Sequence, residues 1–462
     1  MADTEVTPHN LGVALDQAIG IEIATIPVYL YTYYSINRVP DQDAISGSLV
    51  QQLTAAGMPL AKANTAALSL SADLMVFANK AGAAIMSVVI EEMLHMALSS
   101  NTYRALMNDV PQLTGKSPGP PWPVVLPGHE PEFPINLAPF SLEQLITFLK
   151  IESPKPLPSL VTEGALPYKT IGEFYQSIID CLNNYEHQLT YHKGSQLEPG
   201  KSYYAQNNID TVYYNKEHQP QYTNADDSGD LIHVTDKDSA IKALKLIMDQ
   251  GEGNMGKGFG PHGEVICNDP NAPDFDDPTH KELCHFEKFA EIYCDYQRLE
   301  QQFDAYNLGG IADYFVLNFP TNPTMSDYAA PADSASPHYA NMEALQAVAT
   351  LLNATYSYIF VMTENCYAQE GNTQYETFMF GIHKTMIFIL NSLCGDIQGL
   401  SFEKDGKVYT GVPTFENYPF GLMSSPKSQL IALYNTAAAL YPTISYLQQR
   451  YTDLPDVPLN PS

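Results

Sequence analysis

Two short motifs pair a carboxylate with an imidazole at the same spacing. Glu92 precedes His95 by three residues, and Glu282 precedes His285 by three, each in a stretch with apolar residues at helical spacing. Three residues make about one turn of an α-helix, so the two side chains of each motif are predicted to share one helix face. A bundle with one such pair on each of two helices, and one glutamate on each of two others, can hold two metal ions. The repeated motif therefore predicts a site for two metal ions.

A single carboxylate in the first predicted helix is expected to join this site. The helix is predicted over residues 10–37, and Glu22 lies on its apolar face with Leu15, Ala18 and Ile26. Burying an unpaired carboxylate costs roughly several kcal/mol unless a cation compensates its charge. Few lysines or arginines lie near these segments, so metal cations are expected to neutralise the cluster.

The remaining carboxylate has two candidates, which the sequence does not separate. Glu173 follows Thr170 by three residues, a spacing that fits a capping box as well as a ligand. Glu252 lies one turn beyond Met248, at the end of a helix predicted from about Asp238. Glycines on both sides of Glu252 would let a metal ion or a substrate approach the backbone closely, which slightly favours it.

The donor types indicate which metal to expect. The predicted ligands are Glu22, Glu92, His95, Glu282 and His285, with Glu173 or Glu252 as the sixth. An oxygen-rich set with two imidazoles suits iron, with manganese as the alternative, whereas thiolates would indicate structural zinc.

Glu91 points about 100° away from Glu92 around the helix and is expected to be solvated or in an outer layer of the site. The tyrosines of the first helix are predicted to serve packing.

The chain divides into a site-bearing part and a C-terminal part. Residues 1–310 are predicted to form a helical bundle with insertions at about 108–165 and 190–236. Its second helix is predicted over residues 71–107, and shorter helices over 141–151, 171–184 and 238–250. The proline-rich connection 110–134 has apolar anchors and is expected to be ordered. Residues 311–462 are predicted to form a helical region packed on the bundle, with helices over 341–366, 377–400 and 428–449.

Composition narrows the function classes. The chain has 462 residues, 45% of them hydrophobic, with a formal charge of −29 from 52 acidic and 23 basic side chains. Such a charge disfavours nucleic acid and anionic membrane partners. No apolar run is expected to reach the roughly 18 residues needed to span a bilayer, and no signal peptide is recognised. The six cysteines form no Cys-x-x-Cys pair and are predicted to be buried thiols in a reducing compartment, the cytoplasm.

Several segments resemble a known family. The segments IEIATIP at 21–27, IEEMLHM at 90–96, TIGEFY at 170–175, QGEG at 250–253 and HFEKF at 285–289 are similar to the ferritin-like domain of iminophenyl-pyruvate dimer synthases. VPTFE at 412–416 resembles a later element of that family. The resemblance implies a mainly α fold: a ferritin-like four-helix bundle with long irregular insertions, an additional C-terminal helical region and a non-haem metal site. The family's activity is the oxidative coupling of two imines made from aromatic amino acids, in bisindole pigment biosynthesis.

Three functions are compatible with these features. The first is a non-haem di-iron oxidoreductase that uses dioxygen or peroxide on a small organic substrate in secondary metabolism, with an aromatic amino-acid-derived imine as one candidate. The second is metal binding or ferroxidase activity without an organic substrate. The third is a structural or binding protein whose helices are locked by metal. Neither nucleic acid nor membrane is expected as a partner, and a homo-oligomer is compatible with the sequence.

Overall fold

The computed structural model describes residues 5–116, 122–130, 132–154, 168–198, 231–251, 253, 265, 267, 283–329 and 341–459. Over these ranges the chain is mostly helical, and its strands form one two-stranded antiparallel sheet. The helices up to residue 310 are α1 (Leu11–Tyr34), α2 (Gln42–Ala55), α3 (Leu60–Met107), α4 (Leu142–Ile151), α5 (Ile171–Asn184), α6 (Lys237–Gln250) and α7 (His285–Asp304). The predicted mainly α class is confirmed.

Helices α1 and α3 form the centre of the bundle and pack along each other. Nearly all of α1 and the second half of α3 are buried, because α5 lies against α1, and α2, α6 and α7 lie against α3. A helix that is covered on all sides has apolar residues all round, so its few buried carboxylates stand out. Pro27 lies inside α1 as predicted. Helix α3 begins at Leu60, before the predicted residue 71, and α2 was not predicted.

The expectation that no helix is apolar and long enough to cross a membrane was wrong. By length and composition alone, α1, α3 and the C-terminal helix Met342–Cys366 qualify. Their apolar windows are 78%, 78% and 83% buried within the protein. The apolar stretches are thus accounted for by packing against neighbouring helices. The absence of a membrane partner stays a prediction.

Three shorter helices begin at polar side chains that cap them. The Ser141 hydroxyl accepts a hydrogen bond from the Gln144 N–H at 3.1 Å, and the Thr170 hydroxyl accepts one from the Glu173 N–H at 3.0 Å. Asp236 begins α6 with a reciprocal capping box. These contacts satisfy N–H groups that have no partner inside a helix, which is why α4, α5 and α6 begin close to the predicted positions. Residues 199–230 and most of 251–263 lie outside the described residues.

The connection after α3 is ordered in its described residues, as predicted. Leu113, Trp122 and Leu126 are buried, and Val124 forms an antiparallel bridge with Ile135. Glu364, a buried residue of the C-terminal region, also holds this connection. Its carboxylate accepts hydrogen bonds from the N–H groups of Leu113 and Thr114 at 2.6 Å each. The connection therefore links the bundle to the C-terminal helices.

The C-terminal region is mainly helical, as predicted, and part of it is π-helical. Its elements are α8 (Met342–Cys366), α9 (Gly371–Glu376), two π-helical segments (Thr377–His383 and Thr385–Leu390), α10 (Asn391–Ile397), β1 (Ser401–Lys404), β2 (Lys407–Thr410), α11 (Pro426–Leu440) and α12 (Gln448–Thr452). Helix α8 packs against α11 and both π-helical segments. The Tyr367 hydroxyl donates to the Ala97 carbonyl of α3 at 3.1 Å, which ties this region to the bundle. The boundary at residue 310 stays a prediction.

Two of the six cysteines are not free thiols. Cys267 and Cys294 form a disulfide with a Cα–Cα distance of 5.0 Å, whereas Cys181, Cys284 and the two C-terminal cysteines are buried thiols. The prediction of six thiols was wrong for this pair, because 27 residues separate them and only folding brings them together. The cytoplasmic location inferred from free thiols stays a prediction.

Candidate metal centre

Five acidic and imidazole side chains meet in the interior of the bundle. Glu22 comes from α1, Glu92 and His95 from α3, Glu152 from the residue that follows α4, and His285 from the first residue of α7. All five are at most 3% exposed. Four of them are predicted ligands, and the structure brings these four together.

His95 presents one ring nitrogen to the carboxylates. Its Nδ1 lies 3.5 Å from Glu22 Oε2 and 3.9 Å from Glu92 Oε2. Its other nitrogen, Nε2, lies 3.1 Å from Oε1 of Gln250, the last residue of α6. An outer hydrogen bond of this kind fixes the orientation of an imidazole and leaves the inner nitrogen available to a metal ion.

His285 repeats this arrangement from the opposite helix. Its Nδ1 lies 3.3 Å from Glu92 Oε1 and 3.6 Å from Glu152 Oε2, and its Nε2 lies 2.9 Å from Glu91 Oε2. The rings of His95 and His285 are stacked with their centroids 5.1 Å apart. Both Nδ1 atoms therefore face the carboxylates, with Glu92 between them.

The donor set fits metal ions. Glu92, His95 and His285 each offer one ligand atom, and these atoms lie within 4.8 Å of one another. Both ring nitrogens of His285 are buried without a hydrogen bond of normal geometry, although two carboxylate oxygens lie within 3.6 Å of Nδ1 and Glu91 Oε2 lies 2.9 Å from Nε2. A buried polar atom without a hydrogen bond is costly unless something else occupies its lone pair. A metal ion bound by nitrogen and carboxylate oxygen would satisfy it.

Glu152 is the carboxylate that sequence analysis missed. It follows Leu145 and Phe148 at helical spacing, and both of these are fully buried. The same reasoning that selected Glu22, a carboxylate in line with an apolar stripe, would have selected Glu152. It was overlooked because its helix is short and Glu152 lies one residue beyond the end.

Each outer carboxylate is held by a tyrosine. The Tyr29 hydroxyl donates to Glu152 Oε1 at 2.5 Å, and the Tyr175 hydroxyl of α5 donates to Glu22 Oε1. In both glutamates the other oxygen, Oε2, faces a histidine Nδ1. Burial and the nearby carboxylates hold the pKa of both tyrosines well above its ordinary range, so both remain hydrogen-bond donors. Tyr29 therefore does more than the packing predicted for the tyrosines of this helix.

A buried lysine also belongs to this cluster. Lys288 is 1% exposed, and its Nζ lies 2.6 Å from both carboxylate oxygens of Glu91. Glu91 is itself buried and contacts His285 on the side away from Glu92. Of the two roles expected for Glu91, the outer layer of the site is correct and solvation is wrong. Lys288 was overlooked, although it lies one turn after His285.

The buried charges do not balance. Among the described residues, Glu22, Glu91, Glu92 and Glu152 have one lysine, Lys288, beside them. Burial raises the pKa of Glu22, but the hydrogen bond and charge of His95 outweigh it and lower that pKa. Burial and the charge of Glu22 raise the pKa of Glu92 well above its usual range.

The pKa of His285 is shifted in the direction that adds positive charge. Burial lowers it, but the charge of Glu152 and contacts with Glu152, Glu91 and Glu92 raise it well above its usual range. Without a metal ion, protons on Glu92 and His285 therefore offset part of the excess negative charge. Metal cations would replace those protons.

The structure does not bring Glu173 to this group. Its side chain is exposed on the first turn of α5, where its N–H donates to Thr170. Of the predicted capping box, the described contacts contain the bond from the Glu173 N–H to Thr170, and the return bond from the Glu173 carboxylate stays a prediction. Glu252 and Glu282 lie outside the described residues, so their roles as ligands stay predictions.

The pairing of Glu282 with His285 on one helix face stays a prediction, because Glu282 lies outside the described residues, but the predicted helix begins later than expected. Helix α7 begins only at His285, and Leu283 and Cys284 precede it in a non-helical conformation. The reason is local, because the Glu287 carboxylate accepts the Cys284 N–H at 3.1 Å and caps the helix there. In the described residues, this helix therefore does not extend back to Leu283.

The space between the ligand side chains is narrow. Among the described residues it has room for about one water-sized sphere, and Ile247, Met248 and Gly251 of the α6 end line it with the ligand side chains. This space suits ions or small inorganic molecules.

Comparisons with known proteins agree with this architecture. A family model described as Ferritin-like matches residues 15–294, more than half of the chain. A solved structure of a ferritin-like protein from Caulobacter vibrioides is similar with 19% identity and a TM-score of 0.40, and the match covers 84% of this chain and 97% of that one. No curated protein matches the chain. The matched residues include all five side chains of the cluster: Glu22, Glu92, His95, Glu152 and His285. Because the family model matches more than half of the chain, the chain belongs to the ferritin-like family.

Proposed function

We propose that the buried cluster binds two metal ions, in the first place iron, and that the protein is a non-haem di-iron oxidoreductase acting with dioxygen or peroxide on a small organic molecule. The observation that carries this proposal is the excess of buried carboxylate over cation. Four glutamates and one lysine lie around two imidazoles whose Nδ1 atoms face the carboxylates. Two divalent cations would offset that excess.

The described residues divide the work of holding the metals. Glu92 lies between the two histidines, and it would hold the two ions together with Glu22, His95, Glu152 and His285. Two bound irons supply the electrons for the reduction of dioxygen or peroxide. Manganese fits the same donors and is the alternative metal.

The surrounding side chains set the geometry of the ligands. Tyr29 and Tyr175 hold the outer oxygens of Glu152 and Glu22, so that the inner oxygens face the histidines. Gln250 fixes the ring of His95, and Glu91 with Lys288 fixes that of His285. Partners of this type orient ligands, and their loss commonly lowers metal affinity about 10- to 100-fold.

The substrate proposal depends on the narrower resemblance. Similarity to iminophenyl-pyruvate dimer synthases at residues 21–27, 90–96 and 285–289 favours an imine derived from an aromatic amino acid, in secondary metabolism. Four of the five clustered side chains lie in those segments: Glu22, Glu92, His95 and His285. We also propose a cytoplasmic location, which is supported by the four buried thiols and not by the resemblance.

A second candidate function is metal oxidation without an organic substrate. The narrow space between the ligand side chains favours it, because ions and dioxygen need little room. In the first function dioxygen is consumed only with an organic substrate, and in the second it is consumed by ferrous iron alone. Oxygen uptake can therefore separate the two functions.

The first experiment measures metal content and oxygen consumption. Protein reconstituted with ferrous iron without oxygen is expected to hold about two irons per chain. Glu152→Gln should lose at least one, and Glu173→Gln, the same change at an exposed site, should lose none. Equal iron in both variants would contradict the assignment of Glu152, and no bound iron in the unmodified protein would overturn the proposed function.

The second measurement separates the two candidates. Oxygen uptake by the iron-loaded protein is followed with and without imines generated in solution from phenylalanine, tyrosine or tryptophan by an amino-acid oxidase. Catalytic uptake that requires the imine and yields a coupled product supports the oxidoreductase. Uptake that stops once the added ferrous iron is oxidised, whether or not an imine is present, supports metal oxidation alone.

A further inference from the structure

A second cavity lies between the bundle and the C-terminal region, apart from the metal cluster. It has a volume of about 460 Å³. Its lining includes Tyr33 and Tyr34 at the end of α1, Arg38 after it, Leu317, and Asn391 with Gln398 around α10. It shares no lining residue with the space between the metal ligands. Its volume lies within the roughly 300–1,000 Å³ of small-molecule sites, which often occur between domains.

Arg38 is held in position at this cavity. Its Nη1 donates to the Tyr33 hydroxyl at 3.2 Å, and its Nη2 donates to Asn79 Oδ1 at 3.1 Å. Its alkyl chain lies directly over Gly82 of α3, where an added Cβ would come within 2.6 Å of Arg38 Cδ. Contact with a glycine and two hydrogen bonds restrict the side chain before any ligand arrives, which reduces the entropy cost of binding.

The guanidinium of Arg38 keeps its charge available. Within the described part of the chain no carboxylate pairs with it, and both of its hydrogen-bond acceptors are neutral. Arg38 is half-buried, in a chain with 52 acidic and 23 basic side chains. A guanidinium has five N–H donors in a planar fork that matches a carboxylate. The hydrogen bonds to Tyr33 and Asn79 use two of the five N–H donors of Arg38.

The remaining lining indicates what else the ligand carries. The rings of Tyr33 and Tyr34 pack edge to face at 5.3 Å, and Leu317 adds an apolar side chain. The amides of Asn391 and Gln398 add polar groups without charge. We propose that this cavity binds a small aromatic carboxylate, whose carboxylate pairs with Arg38 and whose ring lies against the tyrosines.

Calorimetric titration of the full chain with benzoate tests this proposal, with benzamide as the neutral analogue of the same shape. Benzoate should bind at least about tenfold more tightly than benzamide, because a charge-assisted pair is lost in the amide. Arg38→Gln should weaken benzoate binding by a similar factor, and Arg38→Lys should restore part of it. Arg298→Gln, a change at an exposed arginine, should leave it unchanged.

A second variant tests the cavity without touching Arg38. Gly395 of α10 lines the cavity, and a Cβ placed there meets nothing within 4 Å. Gly395→Leu should fill the space and abolish benzoate binding while the protein stays folded. Gly47→Leu makes the same change in α2, where space is also open, and should have no effect. The comparison of Gly395→Leu with Gly47→Leu still tests the cavity if Arg38→Gln fails to fold.

Three results would overturn the proposal. The first is the absence of saturable binding of both benzoate and phenylacetate to the unmodified protein. The second is benzoate binding that Gly395→Leu leaves unchanged. The third is binding of inorganic phosphate in preference to benzoate, since that would show an anion site without a place for a ring.

Discussion

Helices α3 and α7 contribute side chains to two charged clusters that differ in their balance of acidic and basic groups. In the first, Glu91 and Glu92 of α3 meet His285 and Lys288 of α7, next to Glu22 and Glu152. In the second cluster, nearer the start of α3, Lys80 pairs with Glu291 and lies 2.9 Å from Asp295. Arg298 lies 2.5 Å from the same aspartate. The second cluster therefore has two carboxylates and two cations, whereas the first has four carboxylates and one lysine.

We interpret the difference as one between a structural cluster and the proposed metal site. Carboxylates matched by lysine and arginine need no further partner, and such a group mainly fixes how two helices pack. Carboxylates in excess of their cations remain costly when buried, so they persist where a ligand or a proton offsets them. Both clusters lie between the same two helices, although Arg298 of the second cluster is exposed.

The largest expected effect is stabilisation by metal at the unbalanced cluster. At a free metal concentration a thousandfold above Kd, binding adds about 4 kcal/mol to the free energy of unfolding. Urea denaturation with and without iron should show this gain in the unmodified protein and in Lys80→Met. The double variant Glu92→Ala/His285→Ala should lose it, and a gain that survives there would place the metal elsewhere.

Removing Lys288 should be the next largest effect. Lys288→Met leaves Glu91 buried without its cation and should lower the unfolding free energy of the metal-free protein by about 3 kcal/mol. The double variant Glu91→Gln/Lys288→Met removes both charges and should recover much of that loss. Denaturation of the four proteins gives the coupling energy, and a coupling near zero would mean that the pair contributes no net interaction.

Removing the lysine of the balanced cluster should cost less. Lys80→Met is expected to lower the unfolding free energy by about 1–2 kcal/mol, because Arg298 remains beside Asp295 and the lysine side chain is 11% exposed. Its metal content should be unchanged by elemental analysis. A loss of bound metal in this variant would show that the two clusters are coupled.

The smallest effect is expected at an outer hydrogen bond of the site. Tyr29→Phe removes the donor to Glu152 and should weaken metal binding about tenfold, about 1.4 kcal/mol, with little change in metal-free stability. Competition with a chelator measures the affinity. Tyr31→Phe is the matched control, since that hydroxyl donates to the Pro320 carbonyl, away from the cluster. Equal affinities in the two variants would mean that Tyr29 does not position Glu152.

Local pattern was sufficient for most of the helices and for four site residues. Glu22, Glu92 and His95 interrupt apolar helices at positions that periodicity predicts to be buried, and the structure buries them. His285 was selected for the same reason, although its helix begins there and not before it. The helix start depends on Glu287, a cap that the sequence contains and the analysis did not use.

The sequence by itself determined the donor types, their positions on buried helix faces and hence the kind of centre they form, because helical periodicity is a local property. Tertiary structure decided which other residues complete the cluster. Tyr29 reaches Glu152 across 123 residues, and Lys288 reaches Glu91 across 197. The disulfide partners and the fixed position of Arg38 over Gly82 likewise arise only from packing. Contacts at such separations depend on how helices meet, and no short stretch of sequence encodes that.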